Sequence, residues 1–280
     1  MDRIEVKKGL NNNVLIADHP TFGEVILIGK GISFNRKKGD LIEEGQAEKM
    51  FVLKDEKEQA NYIKLLPFVQ NDLHEAIISS IELIKKRTPA QLNEHIHVAL
   101  TDHLMFAVTR ISKGMEFKNP FLVETKTLYP TEFEIAKEVV QLIKDRSGIE
   151  LPDGEIGFVA LHIHSAIMNR SLSDVNKHSQ LVTKLVKMIE ENLDIEIDKE
   201  GIDYTRLVRH IRFTIERVNN GEEAEEPEKF ATLLKEEYPL CYNLSWKLIK
   251  VMQQTLKKQV CDAEAVYLTM HLQRLQKKVK

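Results

Sequence analysis

Hydrophobic residues divide the chain into two parts with different periodicities. Residues 1–53 contain short β-branched segments, IEVKKG, NVLIAD, EVILIG and MFVLK, which are separated by residues typical of turns. From about residue 61 onward, apolar residues recur at three- and four-residue spacings, for example over 73–87, 133–148 and 204–218. The pattern therefore predicts a small antiparallel β-domain followed by a mostly helical region.

Polar segments predict where these elements are interrupted. The charged residues 54–60 are expected to link the β-domain to the helices, and 171–179 is expected to separate two groups of helices. The acidic stretch 219–229 contains Gly and Pro and is expected to form a solvated loop. Helices are expected to start at Asp153 and Asp262, where an acidic side chain favours the helix N-terminus.

The helical region contains a long internal repeat. His-x-x-Phe-x-x-x-Arg occurs at His103 and again at His210, 107 residues later. A second block, from Tyr-Pro through Asp-x-Glu to a histidine, ends at His162 and again at His271, 109 residues later. The repeat length is that of a domain, so the region is predicted to hold two homologous helical domains.

Composition narrows the class of protein. The 280 residues have 42% hydrophobic and 30% charged content and a net charge of −3, which gives no general signal for binding polyanions. Cys241 and Cys261 have neither metal-ligand spacing nor the density of a disulfide scaffold. No apolar stretch has the length of a membrane span, so we expect a cytoplasmic protein without direct membrane insertion.

The four repeated histidines have several chemical interpretations. A single histidine on an apolar helix is commonly a core residue, but its retention in both copies at two positions argues for a function. The pair His162-x-His164 points to different sides of a helix and chelates poorly, so a metal-dependent hydrolase is a weak alternative. Imidazole can also accept a phosphoryl group on nitrogen, which would add roughly −1.5 to −2 of charge.

The whole chain resembles the bacterial transcriptional antiterminators of the β-glucoside, sucrose and glucose operons, with the glucose branch most similar. The segments that carry the resemblance are LNNNVLIA, ILIGKGISF, LNEHIHVALTDHLMFAVTR, NPFLVETKTLYP, DGEIGFVALHIHSA, RLVRHIRFTIERV and AVYLTMHLQRL. An operon for sucrose or a β-glucoside is the alternative target.

The resemblance implies an α+β multidomain protein. Residues 1–58 would form an antiparallel β co-antiterminator (CAT) domain, and 64–172 and 173–280 would form two all-α helical-bundle phosphotransferase regulation domains (PRD1 and PRD2). The phosphorylatable histidines of the family fall on the four residues of the repeat, His103, His162, His210 and His271.

The resemblance also places an RNA-binding site in the β-domain. The residues concerned are Asn11, Asn13, Gly29, Lys30, Gly31 and Phe34. Asparagine can donate and accept hydrogen bonds, and phenylalanine can stack on an unpaired base. Many relatives have Arg where Lys30 stands, and Lys lacks the planar fork of a guanidinium group. Lys30 and the run 36–38 form a local basic patch that adds modest support.

The implied function is control of transcript elongation. A homodimer would bind a hairpin (the ribonucleic antiterminator) in a leader mRNA and so prevent a terminator from forming. The EIIB domain of a glucose phosphotransferase permease would phosphorylate the first regulatory domain, and the phosphocarrier HPr would act on the second. The family implies no enzymatic activity, no catalytic residue, no metal and no cofactor. A DNA-binding activator would instead need a helix-turn-helix ahead of the regulatory domains.

The two copies differ in the charges near their first histidine. His103 follows Asp102, whereas three arginines surround His210, namely Arg206, Arg209 and Arg212. The sequence therefore predicts that a phosphoryl group opens the packing at the first site and tightens it at the second.

Overall fold

The computed structural model describes residues 3–52, 55–68, 71–115, 117–222 and 228–277. The chain divides into two compact units, Met1–Glu116 with Lys137–Pro152, and Phe117–Ala136 with Asp153–Lys280. The first copy of the repeat contributes residues to both units. The division into domains at 1–58, 64–172 and 173–280 stays a prediction.

The first unit contains an antiparallel sheet of five strands in the order β4-β1-β2-β3-β5. The strands are β1 (Arg3–Asn11), β2 (Val14–His19), β3 (Gly23–Ile28), β4 (Leu41–Glu43) and β5 (Lys49–Phe51). The α+β fold class predicted from the sequence is confirmed. β4 was not predicted, because a strand of three residues with two exposed side chains has almost no hydrophobic signal.

Both faces of strands β2 and β3 are buried. Leu15 and Leu27 pack on one side of the sheet, whereas Ile26 packs on the other side with Tyr62 and Leu66 of the following helical segment. Burial on both sides explains why β2 and β3 are continuous apolar runs rather than alternating patterns.

The first unit also contains three complete helices, α1 (Glu56–Leu65), α2 (Asn71–Arg87) and α3 (His95–Ser112). The expected linker at 54–60 is wrong from residue 56 onward, because those residues form the first turns of α1. The Asp55 carboxylate accepts hydrogen bonds from the backbone N–H groups of Lys57 and Glu58 at 2.9 and 3.1 Å, which starts the helix. In this helix Lys57 is exposed, whereas the Glu58 side chain is only 15% exposed and lies 2.8 Å from His95 Nδ1.

The remaining helices follow without a further strand in the described residues. They are α4 (Leu122–Leu128), α5 (Pro130–Ser147), α6 (Asp153–Met168), α7 (Leu172–Leu193), α8 (Ile202–Asn220), α9 (Glu228–Glu237), α10 (Pro239–Leu256) and α11 (Ala263–Lys277). The helix starts predicted at Asp153 and Asp262 are confirmed. No helix in the described ranges has an apolar stretch long enough to cross a bilayer.

The segment predicted to separate the helical copies is itself helical. Ser171 is the N-cap of α7, and its hydroxyl accepts a hydrogen bond from the backbone N–H of Asp174 at 3.1 Å. Val175 and Ser179 are buried, so residues 172–179 pack as part of a helix although their composition is polar. In the acidic stretch, Gly221 ends α8 with a φ of +71°, and residues 223–227 lie outside the described part of the chain.

One hydrophobic cluster runs through the second unit. It joins Leu128, Tyr129 and Leu161, which belong to the first copy of the repeat, to apolar residues of α7, α8, α10 and α11 from the second copy. The two copies therefore share a core in this unit instead of each closing its own.

Two buried histidines should make the stability of the first unit depend on pH. His74 and His97 are 1% and 2% exposed, and burial lowers their pKa values to about 4 and about 3, with Lys85 contributing at His97. As the pH falls, these histidines are protonated in the unfolded chain before they are protonated in the folded chain, which lowers the free energy of unfolding. Stability is therefore complete above about pH 6.5, and it is lost progressively until the pH reaches about 4 for His74 and about 3 for His97. We expect the free energy of unfolding in urea, followed by circular dichroism, to fall between pH 7 and 5 by about 2 kcal/mol per histidine. A value that stays constant over this range would contradict the prediction.

Candidate functional sites

The turn between β1 and β2 is built from asparagines. The Asn11 Oδ1 atom accepts a hydrogen bond from the backbone N–H of Asn13 at 2.9 Å, a local arrangement that favours a tight turn. This turn holds Asn11 and Asn13 at one end of the sheet, and both side chains are partly exposed.

The segment after β3 packs against this turn. The Asn13 Oδ1 atom accepts a hydrogen bond from the Gly31 N–H at 2.8 Å, and the Asn13 carbonyl accepts one from the Gly29 N–H at 3.0 Å. Gly31 has a φ of +69°, a conformation that disfavours residues with a side chain. At Gly29, an added Cβ would lie 3.2 Å from the Glu48 backbone nitrogen. Gly31 is therefore favoured by its backbone conformation, and Gly29 by its close approach to the backbone of residues 46–48.

The same surface carries the exposed groups of the predicted RNA-binding set. Phe34 is 65% exposed, and Lys30 is exposed beside it in sequence while its backbone N–H donates to Glu48 at 3.1 Å. Gly9 of β1 packs closely against the same segment, because an added Cβ would overlap with the Ser33 hydroxyl oxygen. All six predicted residues thus belong to two adjoining segments at this end of the sheet, and all except the buried Gly29 are at least partly exposed.

The second copy brings its two repeated histidines together. His210 on α8 and His271 on α11 have ring centroids 4.9 Å apart, and Tyr267 lies 6.1 Å from His210. Burial, together with the neighbouring charges of His210, Arg274 and Arg206, lowers the pKa of His271 to about 4. His271 is therefore a neutral imidazole near pH 7.

A buried carboxylate lies beside this pair. Glu264, which is 2% exposed in the first turn of α11, accepts hydrogen bonds on one oxygen from Arg217 Nε and Nη2, at 2.9 and 2.6 Å. Its other oxygen accepts a hydrogen bond from the Thr214 hydroxyl at 2.6 Å and lies 3.3 Å from His210 Nε2. The His210 contact has the distance of an ion pair rather than the geometry of an aligned hydrogen bond.

These contacts keep Glu264 ionised. Burial alone would raise the pKa of this carboxyl group, but the interactions with His210, Thr214 and Arg217 outweigh burial and hold its pKa below the usual value. The repeat had identified the glutamate and the arginine as matched positions. The structure shows that, in the second copy, they form one cluster with the histidine.

The first copy distributes its residues over the two units. His103 lies on α3 in the first unit, and His162 lies on α6 in the second unit, 7% exposed. On α3, the Arg110 guanidinium lies 5.6 Å from the centre of the Phe106 ring. Phe106 and its counterpart Phe213 are 61% and 52% exposed, so both copies present an aromatic ring one turn after the first histidine.

Arg212 contacts a different partner from the one expected. Its Nη1 donates to the Leu128 carbonyl at 2.7 Å, its Nε donates to Glu216 at 2.8 Å, and its guanidinium lies 5.8 Å from the centre of the Tyr129 ring. Arg212 therefore joins the second copy to the end of α4 in the first copy. The sequence had grouped it with the arginines around His210.

Tyr129 continues this contact into α6. Its ring stacks on His164, with centroids 3.9 Å apart, and His164 Nδ1 lies 2.8 Å from a Glu132 oxygen. A second contact between the copies joins Glu124, 2% exposed, to Lys199 at 3.3 Å and to the Tyr204 hydroxyl at 3.4 Å. Sequence reasoning did not identify Glu124, Glu132, Lys199 and Tyr204, because these residues are not matched between the copies.

Metal binding receives no support from the described side chains. Within the described ranges, no group of three or more His, Cys, Asp or Glu side chains could hold a metal ion. In the second copy, the imidazole nitrogens of His210 and His271 lie instead beside one carboxylate, Glu264, which is paired with Arg217.

Comparisons with known proteins agree with this organisation. A family model described as PRD domain matches residues 79–166 and 183–275, each of which contains one pair of the repeated histidines, and one described as CAT RNA binding domain matches residues 4–60.

Individual relatives cover nearly all of the chain. The PtsGHI operon antiterminator of Bacillus subtilis (strain 168) is 58% identical over 98% of each chain. The GlcA/glcB genes antiterminator of Staphylococcus carnosus (strain TM300) is 40% identical over 97% of this chain and 96% of that protein. A solved structure, "Crystal structure of GlcT CAT-PRDI", is 55% identical with a TM-score of 0.52, and covers 59% of this chain and 98% of that one.

The Glu264 cluster should contribute measurably to the stability of the second unit. Glu264→Gln removes the charge opposite Arg217, and we expect the free energy of unfolding to fall by about 2 kcal/mol. Fluorescence of Trp246, the single tryptophan of the chain, can follow this unfolding, because Trp246 packs against the core of that unit. The exposed Glu191→Gln, which removes a surface pair with Lys187, is the matched control and should cost under about 0.5 kcal/mol. Equal effects of the two substitutions would refute the role given to the buried cluster.

Proposed function

Because the chain belongs to the family of antiterminators with a CAT RNA-binding domain and two PRD domains, we propose that it binds a hairpin in a leader mRNA and prevents formation of a terminator. Identity of 58% to the PtsGHI operon antiterminator over 98% of the chain carries this proposal and favours glucose phosphotransferase genes as the target. The relatives are regulators of transcription and not enzymes.

The surface around Asn11, Asn13 and Phe34 is the proposed RNA-binding site. An A-form hairpin offers a shallow minor groove and unstacked loop bases, which proteins read by hydrogen bonding and stacking. The asparagines offer amide groups, Phe34 offers an exposed ring for a base, and Lys30 adds a positive charge near the phosphates. Two copies of this small surface in a homodimer would lengthen the contact along the hairpin.

A bound hairpin competes with the terminator because the two RNA structures overlap and cannot form together. The protein then only has to bias an equilibrium between alternative RNA folds. About 1.4 kcal/mol of binding free energy changes such a ratio tenfold. Genes downstream are transcribed while the antiterminator hairpin is held.

Control by phosphorylation is proposed at His103, His162, His210 and His271. In the second copy the support is chemical, because His210 and His271 adjoin in a cluster where Arg217 and Glu264 respond to added charge. The proposed phosphoryl donors are the EIIB domain of a glucose permease for the first copy and HPr for the second. Phosphorylation of the first copy when glucose is scarce would inactivate the protein.

Phe34 should be a main determinant of RNA affinity. We expect Phe34→Ala to weaken binding of the full chain to the leader hairpin by about tenfold to a hundredfold, because a base–aromatic stack contributes about 1–3 kcal/mol. Gel-shift titration at fixed salt concentration measures this change. The control is Phe22→Ala, which removes a ring that is 52% exposed in the turn at the other end of β2. Equal loss in both variants, or tighter binding to duplex DNA than to the hairpin, would reject the proposed surface.

Phosphorylation can be tested with four single His→Ala variants. The full chain is incubated with enzyme I, HPr, the EIIB domain and radiolabelled phosphoenolpyruvate. We expect labelling to fall in variants of His103 and His162 when EIIB is the final donor, and in variants of His210 and His271 when HPr is. His178→Ala is the control, since His178 is partly buried but lies outside the repeat. Full labelling of all four variants would eliminate these sites.

A further inference from the structure

The contacts between the two copies that involve Leu128, Tyr129, Glu132, His164 and Arg212 are called the joint. The joint lies close in sequence to His162 of the first copy and to His210 of the second copy. Arg212 follows His210 by two residues on α8, and His164 follows His162 by two residues on α6. Residues two apart on a helix point to different sides, so each helix has a phosphorylation candidate on one side and a contact of the joint on another. A displacement of either helix therefore changes both.

The contacts of the joint are continuous. From α8, Arg212 donates to the last carbonyl of α4, that of Leu128, at 2.7 Å. This group has no partner within its own helix, and a cation is favoured at a helix C-terminus. Next to it, Tyr129 is 3% exposed, its ring centre lies 5.8 Å from the Arg212 guanidinium, and its ring stacks on His164.

The backbone at the joint is fixed. Proline at position 130 disfavours the helical conformation at Tyr129, which has φ −130° and ψ 59°, and is the first residue of α5. His164 Nδ1 in turn lies 2.8 Å from a carboxylate oxygen of Glu132, which lies two residues after the start of α5. Tyr129 therefore has little freedom to absorb a movement of Arg212 without passing it to His164.

The internal repeat shows that the fold itself does not require these side chains. Tyr129 has its counterpart in Tyr238, which occupies the same break between helices with φ −132° and ψ 55°. The other three members are not kept in the opposite copy. The counterparts of Glu132, His164 and Arg212 are Cys241, Gln273 and Met105. The polar set belongs to the joint between the copies and not to the module.

We propose that Arg212 is a positioning residue that transmits the charge state of His210 to the helix that carries His162. The proposal rests on phosphorylation of these two histidines, as set out above. A negative charge at position 210 meets the Glu264 carboxylate, which lies 3.3 Å from the imidazole in the unmodified protein, so α8 is displaced from α11. Arg212 then leaves the Leu128 carbonyl, and the stack of Tyr129 on His164 loosens.

Loosening of α6 exposes His162, which is 7% exposed while the joint is closed. Its acceptance of a phosphoryl group breaks the bond between phosphorus and the side chain of the donor protein and forms an N–P bond on the imidazole of His162, and the displaced donor side chain takes up the proton that the imidazole releases. The second copy thus sets the rate at which the first copy is modified. The sequence alone had predicted tightening at the second site, a prediction that counted Arg212 as free to bind the phosphoryl group.

The test uses full-length chains in which His162 is the only acceptor of the four. In a His103→Ala, His271→Ala background, His210→Asp supplies a negative charge and His210→Ala does not. The initial rate of labelling by EIIB is measured for both, with site assignment by peptide mapping. We expect the Asp chain to be labelled about fivefold faster, at the lower end of allosteric couplings.

Two substitutions interrupt the joint, and each installs the residue found at the equivalent position of the other copy. Arg212→Met and His164→Gln should each bring the Asp-to-Ala rate ratio to about one, while Arg212→Lys, which keeps a cation over Tyr129, should restore part of it. The matched control is Lys187→Met, a cation 74% exposed on α7, which should leave the ratio unchanged. Because two different residues are changed, a folding defect in one variant leaves the other to decide.

The outcomes separate this inference from the proposed function. Absence of label on His162 in every chain would reject phosphorylation of that residue. Label on His162 with a ratio of about one when Arg212 and His164 are intact would overturn the coupling. A ratio that persists in both Arg212→Met and His164→Gln would show that another contact carries it, and would overturn the role of the joint.

Discussion

Burial of Tyr129 against the helices of the second copy is the contact on which the second unit depends. With Leu128 it enters the same hydrophobic cluster as α7, α8, α10 and α11, so apolar surface of the first copy is covered only when the second is folded. Polar contacts around this cluster fix its geometry. They include Arg212 at the end of α4 and Glu124 between Lys199 and Tyr204. The hydrophobic cluster drives the association of the two copies in this unit, and the polar contacts fix the geometry of their contact.

The buried charge of the second copy likewise depends on contacts with neighbouring groups. A buried carboxylate is costly unless it is paired, and Glu264 satisfies this condition through Arg217 and Thr214. His210 lies at the edge of this neutralised group. The charge of Glu264 is already compensated by Arg217, so a phosphoryl group added at His210 would bring uncompensated negative charge next to this carboxylate.

The sequence allowed the fold class, most helices and the members of the histidine pairs to be predicted, since periodicity and repetition are visible in one chain. Where it failed, tertiary contacts outweighed local composition. Residues 56–60 and 172–179 are polar yet helical, because caps at Asp55 and Ser171 start helices that are stabilised by apolar residues further along each helix. Glu132, His164 and Arg212 were not identified by the repeat, because residues that serve the joint are those in which the copies differ. Gly9 shows the same limit, as its role depends on Ser33, which is distant in sequence.

The unequal distribution of the joint residues gives the tandem copies a fixed order. Duplication of a module first produces two interchangeable halves, and either could precede the other. Glu132 and His164 are present only in the first half, and Arg212 is present only in the second half. If the order of the two halves were exchanged, the three positions would hold cysteine, glutamine and methionine instead. The different residues at three matched positions thus make the order of the two halves matter for the contacts between them.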